Sequence, residues 1–494
     1  MTDVRQFIQL LESQGELARV SVPVGLDREL SAVQYETLRR DGPALLFTHI
    51  PTHRDTWCRQ ILVGELASTR RVALMLGLPR DAAFPDITAA LSRAFSNPLP
   101  PELVASGPVQ QHVLSGPEVD LAQIPVPTWH PGDGGPYINT WCGVVTRDPE
   151  TGVHNVGIYR GQVLGRNRIG VKLMPSKGWG VHFAKCRALG RSMPVAVFYG
   201  GHPALGFMAG CPIPEPPEYD LAGSIMGEPV RLVRCKTQDL LVPADAEIVI
   251  EGTISTDPAT YAVEGPFGEW TGHYSVPQMA PVLVVDCITH RDDPVFRGCL
   301  ACTESTVPRE SAVTGRVGQC AIIRHILDRS GVAGVLDVET GPRRVPAAVF
   351  VKTDRRSTEQ ARLVAEALWG RTLNMRPIST VFVVNGEVDV HSLDSILNHI
   401  SRLNYFGRPP RVFVERYEGG EWVLHDAVDK DQMAIVLTGS FPRRVLVDAT
   451  LDPDTDMTAD ERRRAEVGDP CTPDWGDLSR QVAASFQTYV GKKP

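Results

Sequence analysis

The sequence predicts a multidomain α+β fold: a small α/β domain over residues 1–120, a β-rich centre over 121–305 and a second α/β domain over 306–494. Three changes of texture along the chain carry this. The first hundred residues mix helical periodicity with short apolar runs. From about residue 120, Pro and Gly punctuate a series of β-rich segments. After Ser311, strand and helix patterns alternate.

In the first domain Asp3 is placed to cap a helix whose apolar face is Val4, Phe7, Ile8, Leu10 and Leu11 and which ends near Gly15. A second helix fits Asp27 to Arg40. PALLFTHI and RQILVGEL read as strands, and the spacing from Ser68 to Phe95 is helical. In the centre, YINTWCGVVTRD, HNVGIYRGQVLG, RIGVKLMP, PVAVFYGG, VRLVRCKT, AEIVIEGTI and APVLVVDCITHRD read as short strands of a barrel or sandwich, with VHFAKCRALG and EYDLAGSIMG as helices between them. In the last domain SAVTGRVGQCAIIRHILDRSG, AAVFVKTD, TEQARLVAEALWG, TVFVVNGEVDV and SLDSILNHISRLN alternate helix with strand, and DLSRQVAASFQTYV predicts a terminal helix.

With 494 residues, 43% of them hydrophobic, the chain can bury a large core. A net charge of -8, from 50 basic and 58 acidic side chains, leaves no basic stripe for a phosphate backbone, so nucleic acid is not an expected partner. MTDVRQFIQLLESQGEL lacks the basic head and apolar run of a secretory signal, and no stretch approaches the roughly 20 apolar residues of a spanning helix, so a cytoplasmic protein is expected. Cys299 and Cys302 form a CxxC pair, but a structural zinc needs two further ligands nearby. Buried reduced thiols are the expectation for all the cysteines.

Three segments can carry chemistry. EGPFGEWTG sets Glu264 and Glu269 five apart, which in a regular strand would face opposite ways. The intervening Gly265, Pro266 and Gly268 break that regularity and can turn both acids into one cavity, where they would support proton transfer. On its own the motif reads first as a solvated turn with two exposed acids. HNVGIYRGQVLG sets Asn155 and Arg160 five apart, and an Arg near two carboxylates can fork onto a substrate carboxylate. CPIPEPPEYDLAG places Glu218 where a helix opens, either as a first-turn charge or as a metal ligand.

Together with QDLLVPADAEIVIEG between them, in this order and spacing, these segments resemble the UbiD family of prenylated-flavin-dependent decarboxylases, and the resemblance runs from the N-terminal helix to the VDAT segment at residues 447–450. It implies a central split β-barrel of flavin-reductase type and an acid-base network of Arg160, Glu264 and Glu269, with Glu269 as proton donor. It implies a divalent metal, usually manganese, between the flavin phosphate and Asn155, Glu218 and a His. That His is not matched cleanly: either His182 reaches the metal, or Lys177 meets the phosphate and the metal site is altered. Flavin contacts are implied at Val156, Gly157, Ile158, Tyr159, Ala209, Gly210 and Cys211, with Arg444 reaching the phosphate, and a potassium site built from backbone carbonyls accompanies them in relatives. Leu173 and Trp270 match pocket positions, although Trp270 also reads as plain core.

The implied activity is reversible, non-oxidative decarboxylation of an aromatic, heteroaromatic or α,β-unsaturated acid, with a compact ring acid expected over a polyprenylated one. A flavin prenyltransferase would supply the cofactor, and a dimer or hexamer is expected. Two other classes fit the same residues: a flavin-binding oxidoreductase using NAD(P)H, and a family member that kept the fold and lost activity.

Overall fold

The computed structural model describes residues 1–450 apart from 212, 214–215, 304–306, 341–347, 356, 371–377, 387, 406–409, 419–420 and 427–443. The terminal helix expected in DLSRQVAASFQTYV lies outside the described residues, as does Cys471.

The chain opens with α1 (Val4–Ser13), β1 (Leu17–Val20), α2 (Glu29–Arg39), β2 (Ala44–Phe47), β3 (Gln60–Val63), α3 (Thr69–Met75) and α4 (Phe84–Ser96). Asp3 accepts the Gln6 N–H as the expected cap, and Val4, Phe7, Ile8 and Leu11 are the buried face. The helical spacing over Ser68 to Phe95 divides into two helices because the chain reverses at Gly77, whose φ is +69°, and Pro79 follows.

The centre comprises β4 (Glu102–Leu103), β5 (His112–Ser115), β6 (Gly143–Arg147), β7 (His154–Gly157), β8 (Gly161–Gly165), β9 (Arg168–Val171), α5 (Gly178–Ala188), β10 (Met193–Gly200), α6 (Pro203–Gly210), α7 (Glu218–Met226), β11 (Arg231–Arg234), β12 (Leu241–Pro243), β13 (Ala246–Ile254), β14 (Ala262–Glu264), β15 (Gln278–Ala280), β16 (Val282–His290) and β17 (Val295–Arg297). Its main sheet has eight strands in the order β7-β6-β10-β13-β16-β9-β8, with β5 added beside β16. The two ends of this path are consecutive strands, so residues 158–160 hold its edges within roughly 14 Å of each other. The sheet therefore curls, yet among the described residues no ladder joins β7 to β8. Among the described residues the strands thus form a curled sheet and no closed barrel.

The last part runs α8 (Glu310–Arg329), β18 (Val335–Thr340), β19 (Ala348–Thr353), α9 (Thr358–Trp369), β20 (Thr380–Asn385), α10 (Leu393–Tyr405), β21 (Arg411–Glu418), β22 (Glu421–Asp426) and β23 (Val445–Ala449). Six strands form one sheet in the order β18-β19-β20-β23-β21-β22. Helix α8 joins this layer to the rest: its Val317, Cys320, Ala321 and Ile322 share one buried cluster with Leu91 and Phe95 of α4, Phe207 and Met208 of α6, and Val349 and Val351 of β19. Strand β17 leaves the centre to complete the N-terminal sheet, pairing in parallel with β3.

Candidate active site

The seam of the curled sheet gathers the three residues singled out for acid-base chemistry. Arg160 is the last residue of the link between β7 and β8, and its side chain is buried. Its Nε and Nη2 donate to the two oxygens of Glu264 at 2.8 and 2.7 Å, a forked pair, while Nη1 donates to Glu269 Oε1. Glu264 has no exposure and Glu269 has 28%, so the two acids differ in access to solvent. The solvated-turn alternative is therefore set aside. Burial alone would lower the Arg160 pKa, but the hydrogen bond and charge of Glu264, and then the charge of Glu269, outweigh it and leave the guanidinium raised.

The loop that brings two acids five apart onto one guanidinium is built by backbone chemistry. Glu264 ends β14, which pairs with β15. Gly265 has φ of +101°, a region closed to side-chain-bearing residues, and the Gly265–Pro266 bond is cis. The chain then returns through a bridge between Gly268 and Tyr274, with Glu269 N–H on the His273 carbonyl at 2.9 Å. A second loop supports it from below. Gly134 donates to the Pro266 carbonyl at 2.8 Å and lies so close that a Cβ there would fall 2.2 Å from the Gly265 oxygen. Asp133 accepts the Gly268 N–H at 2.8 Å, and Gln162 accepts the Gly265 N–H at 2.9 Å.

Tyr137 belongs to this site although no sequence signal marked it. Its hydroxyl donates to Glu264 Oε1 at 2.9 Å, and its ring packs on Phe267, 4.4 Å between centroids. Burial, and then the charge of Glu264, push the phenol well above its ordinary value, so it remains a donor. Phe267 also carries the Arg160 guanidinium over its face at 5.3 Å. The Gly-, Pro- and Asp-rich run WHPGDGGPY, which ends in Tyr137, is the only hint the sequence offers.

A second group forms at the other end of the same segment. Asn155, Val156 and Gly157 belong to β7 and stand against the N-termini of two helices. Glu218 opens α7 and accepts the Val156 N–H at 3.3 Å, and burial lifts its carboxyl to about 7. Asn155 abuts the start of α5 so closely that a Cβ on Gly178 would fall 1.8 Å from its Oδ1, and its Nδ2 donates to the Tyr159 hydroxyl at 3.2 Å. Thr146 is directly opposite Asn155 across β6 and β7, so both side chains share a face, and His182 of α5 bonds Thr146 Oγ1 through Nδ1 at 2.9 Å. His182 is thus on the Asn155 side of the sheet, and burial lowers its pKa toward the neutral imidazole a metal requires. Lys177 is the exposed residue that precedes α5. Among the described residues no three His, Cys, Asp or Glu side chains form a ready-made metal cluster. An amide oxygen and a buried carboxylate nonetheless supply the hard oxygen donors a divalent cation prefers, and two helix N-termini suit a phosphate. The residues present fit such a group.

The remaining expected residues fall as follows. Ile158 N–H bonds the Ala209 carbonyl at 3.1 Å, which sets Ala209, Gly210 and Cys211 of the α6 terminus beside the flavin-contact segment. Tyr159 stacks on Trp179 at 4.5 Å. Leu173 is half-buried against an apolar cluster that includes Tyr137, Ile169, Val171 and Trp179. Trp270 is 45% exposed on the loop, so the plain-core reading of it is corrected. Arg444 lies over the ring of Trp369, the last residue of α9, at 5.8 Å. Cys299 is buried with its thiol on the Thr140 carbonyl, and the described cysteines are all free.

Models of one family's three domains match most of the chain: the 3-octaprenyl-4-hydroxybenzoate carboxy-lyase N-terminal domain over residues 8–91, the Rift-related domain over 102–304 and the C-terminal domain over 312–404. Among solved structures, an evolved dimeric form of the UbiD-class enzyme HmfF from Pelotomaculum thermopropionicum, in complex with prFMN, is 26% identical with a TM-score of 0.74 over 92% of this chain and 96% of that one. Vanillic acid decarboxylase from Sedimentibacter hydroxybenzoicus, in open form, is 26% identical with a TM-score of 0.75 over 98% and 99%. A 3,4-dihydroxybenzoic acid decarboxylase from Enterobacter cloacae shares the fold at 22% identity and a TM-score of 0.71 over 98% and 99%.

Proposed function

The chain belongs to the 3-octaprenyl-4-hydroxybenzoate carboxy-lyase (UbiD) family, and from that premise we propose that it releases carbon dioxide from an aromatic, heteroaromatic or α,β-unsaturated carboxylic acid, without net oxidation and with prenylated FMN as cofactor. The observation that carries this reading is the convergence of Glu264 and Glu269 on one buried guanidinium at the seam of the sheet. When bound, the modified flavin supplies the electron sink that an sp² carbon lacks as its carboxylate departs. The protein's own residues do the rest. Glu264, closed off from water and tied to Tyr137, fixes the Arg160 fork on one edge. The Nη1 that Glu269 occupies is the position a substrate carboxylate takes, which frees the solvent-accessible Glu269 to take up a proton from water, swing toward the reacting carbon and deliver that proton there as carbon dioxide leaves. Val156, Gly157, Ile158, Tyr159, Ala209, Gly210 and Cys211 would line the flavin, and Asn155 and Glu218 would hold manganese or another divalent ion, either with His182 as the third ligand or with Lys177 meeting the phosphate in an altered site. Arg444 would add positive charge at the phosphate, and backbone carbonyls would accept a potassium ion.

Leu173 and Trp270 bound the substrate, and a half-exposed indole at the rim favours a compact ring acid that can stack on it over a long polyprenyl chain. A flavin prenyltransferase supplies the cofactor, and the assembly is a homo-oligomer. The test is a protein co-produced with such a prenyltransferase and screened against ring acids for carbon dioxide release, with NAD(P)H consumption followed alongside. Release without nicotinamide oxidation supports the reading; nicotinamide oxidation without release makes the protein an oxidoreductase instead. Glu269→Gln should lower turnover by roughly 10² to 10⁴ while the flavin absorbance stays, and near-normal turnover in that variant would remove Glu269 from the role of proton donor.

A further inference from the structure

Arg309 is the residue that caps α8, and it is buried. Its guanidinium reaches back into the active-site loop, where Nη2 donates to the Trp270 carbonyl at 2.8 Å. Trp270 follows Glu269 directly, so this bond fixes the peptide next to the acid. The rest of the guanidinium is set from its own segment: Nη1 donates to Thr303 Oγ1 at 2.5 Å and to the Thr303 carbonyl at 3.2 Å, and Nε donates to Ser311 Oγ at 3.3 Å. The next residue, Glu310, has no exposure and accepts the Gly64 N–H at the end of β3. One turn of helix thus grips the N-terminal sheet with residue 310 and the Glu269 loop with residue 309. The far end of this loop faces solvent. Trp270 and Tyr274 are 45% and 49% exposed, and Glu269 is the only member of the acid-base trio with real access to solvent.

Resting on the function proposed above, we propose that Arg309 is a positioning residue that holds the Glu269 loop against Arg160 through the Trp270 carbonyl, so that the placement of α8 sets the placement of the proton donor. Its hydrogen-bonding edge is committed to protein atoms, which separates it from a group that binds substrate. A charged donor on a partly buried carbonyl is among the stronger hydrogen bonds, and losing it should open the loop roughly tenfold to a hundredfold more often.

Chymotrypsin reads that opening without any turnover, because the exposed Trp270 and Tyr274 are cleavage sites only when the loop peels away. In the intact chain, Arg309→Ala should speed cleavage after residues 270 and 274 by roughly tenfold or more, with Arg309→Lys intermediate. In cofactor-loaded enzyme the same variant should lower kcat by a similar factor and leave KM within about twofold. Thr303→Val, which removes the hydroxyl that orients the guanidinium, should shift both readouts the same way and decides the matter if Arg309→Ala does not fold. Cleavage at the wild-type rate in whichever of these folds would overturn the proposal. If the wild-type enzyme turns over no acid at all, the function proposed above fails, and the cleavage rates alone still decide whether Arg309 is the latch.

Discussion

At the scale of single residues, the site depends on one guanidinium compensating two acids, the inner of which has no solvent. Removing it leaves the Glu264 carboxylate buried with only the Tyr137 hydroxyl, and an uncompensated buried charge of this kind costs about 3–5 kcal/mol. Arg160→Met should therefore lower the unfolding free energy by about that much in urea, and Arg160→Met with Glu264→Gln should cost less than the two changes summed. A loss below about 1 kcal/mol in the single variant would mean that the pair is not buried together. Arg160, Glu264 and Glu269 were legible because each sits in a short run whose Gly and Pro residues announce an irregular backbone. Tyr137, Gln162 and Asp133 were not. They meet the acid loop across 127, 103 and 135 residues of chain, and a partner at that distance leaves no local pattern.

At the scale of elements, strand β18 presents Asp337 and Glu339 on one face, and His391, just before α10, bridges them with Nε2 on Asp337 at 2.8 Å and Nδ1 on Glu339. Arg316 of α8 forks onto Glu339 and lies over Phe84 of α4 at 4.5 Å. Burial would lower the imidazole pKa, but its bonds to Asp337 and Glu339 outweigh that and push it up to about 9. The folded protein then keeps a proton that the unfolded chain releases near pH 6.5, so this stability is complete below about 6.5 and is lost as pH rises through about 9. Urea midpoints should fall across that window, and His391→Asn should flatten the fall; an unchanged slope in the variant would place the effect elsewhere. Most elements could be read from period, with a cap to mark the start of α1. Helix α6 could not, because Pro203 to Ala209 are all buried and an all-round apolar helix has no polar face to reveal its turn. The broken helical run at Gly77 was missed for a related reason: Arg71 to Met75 are all buried, so α3 has no polar face against which a break in the spacing would show.

At the scale of the whole molecule, the order of α/β, β-rich and α/β regions was evident from texture, and the closure of the central sheet was not. Whether two edges zip together depends on pairing between β7 and β8, which alternation within each strand does not encode. Nor does periodicity disclose that the three regions share one apolar cluster through α8, or that residues 295–297 return to the first sheet. That return has a consequence for synthesis. As the chain leaves the ribosome, the outer margin of Gln60–Val63 stays unpaired until residue 297 emerges, and its amides are meanwhile a template for any stray strand. A truncated product ending at 120 should accordingly pellet on centrifugation, whereas the full chain should remain in the supernatant; equal recovery of both would show that the early segment needs no such protection. The opening region therefore cannot finish folding in the order it is translated.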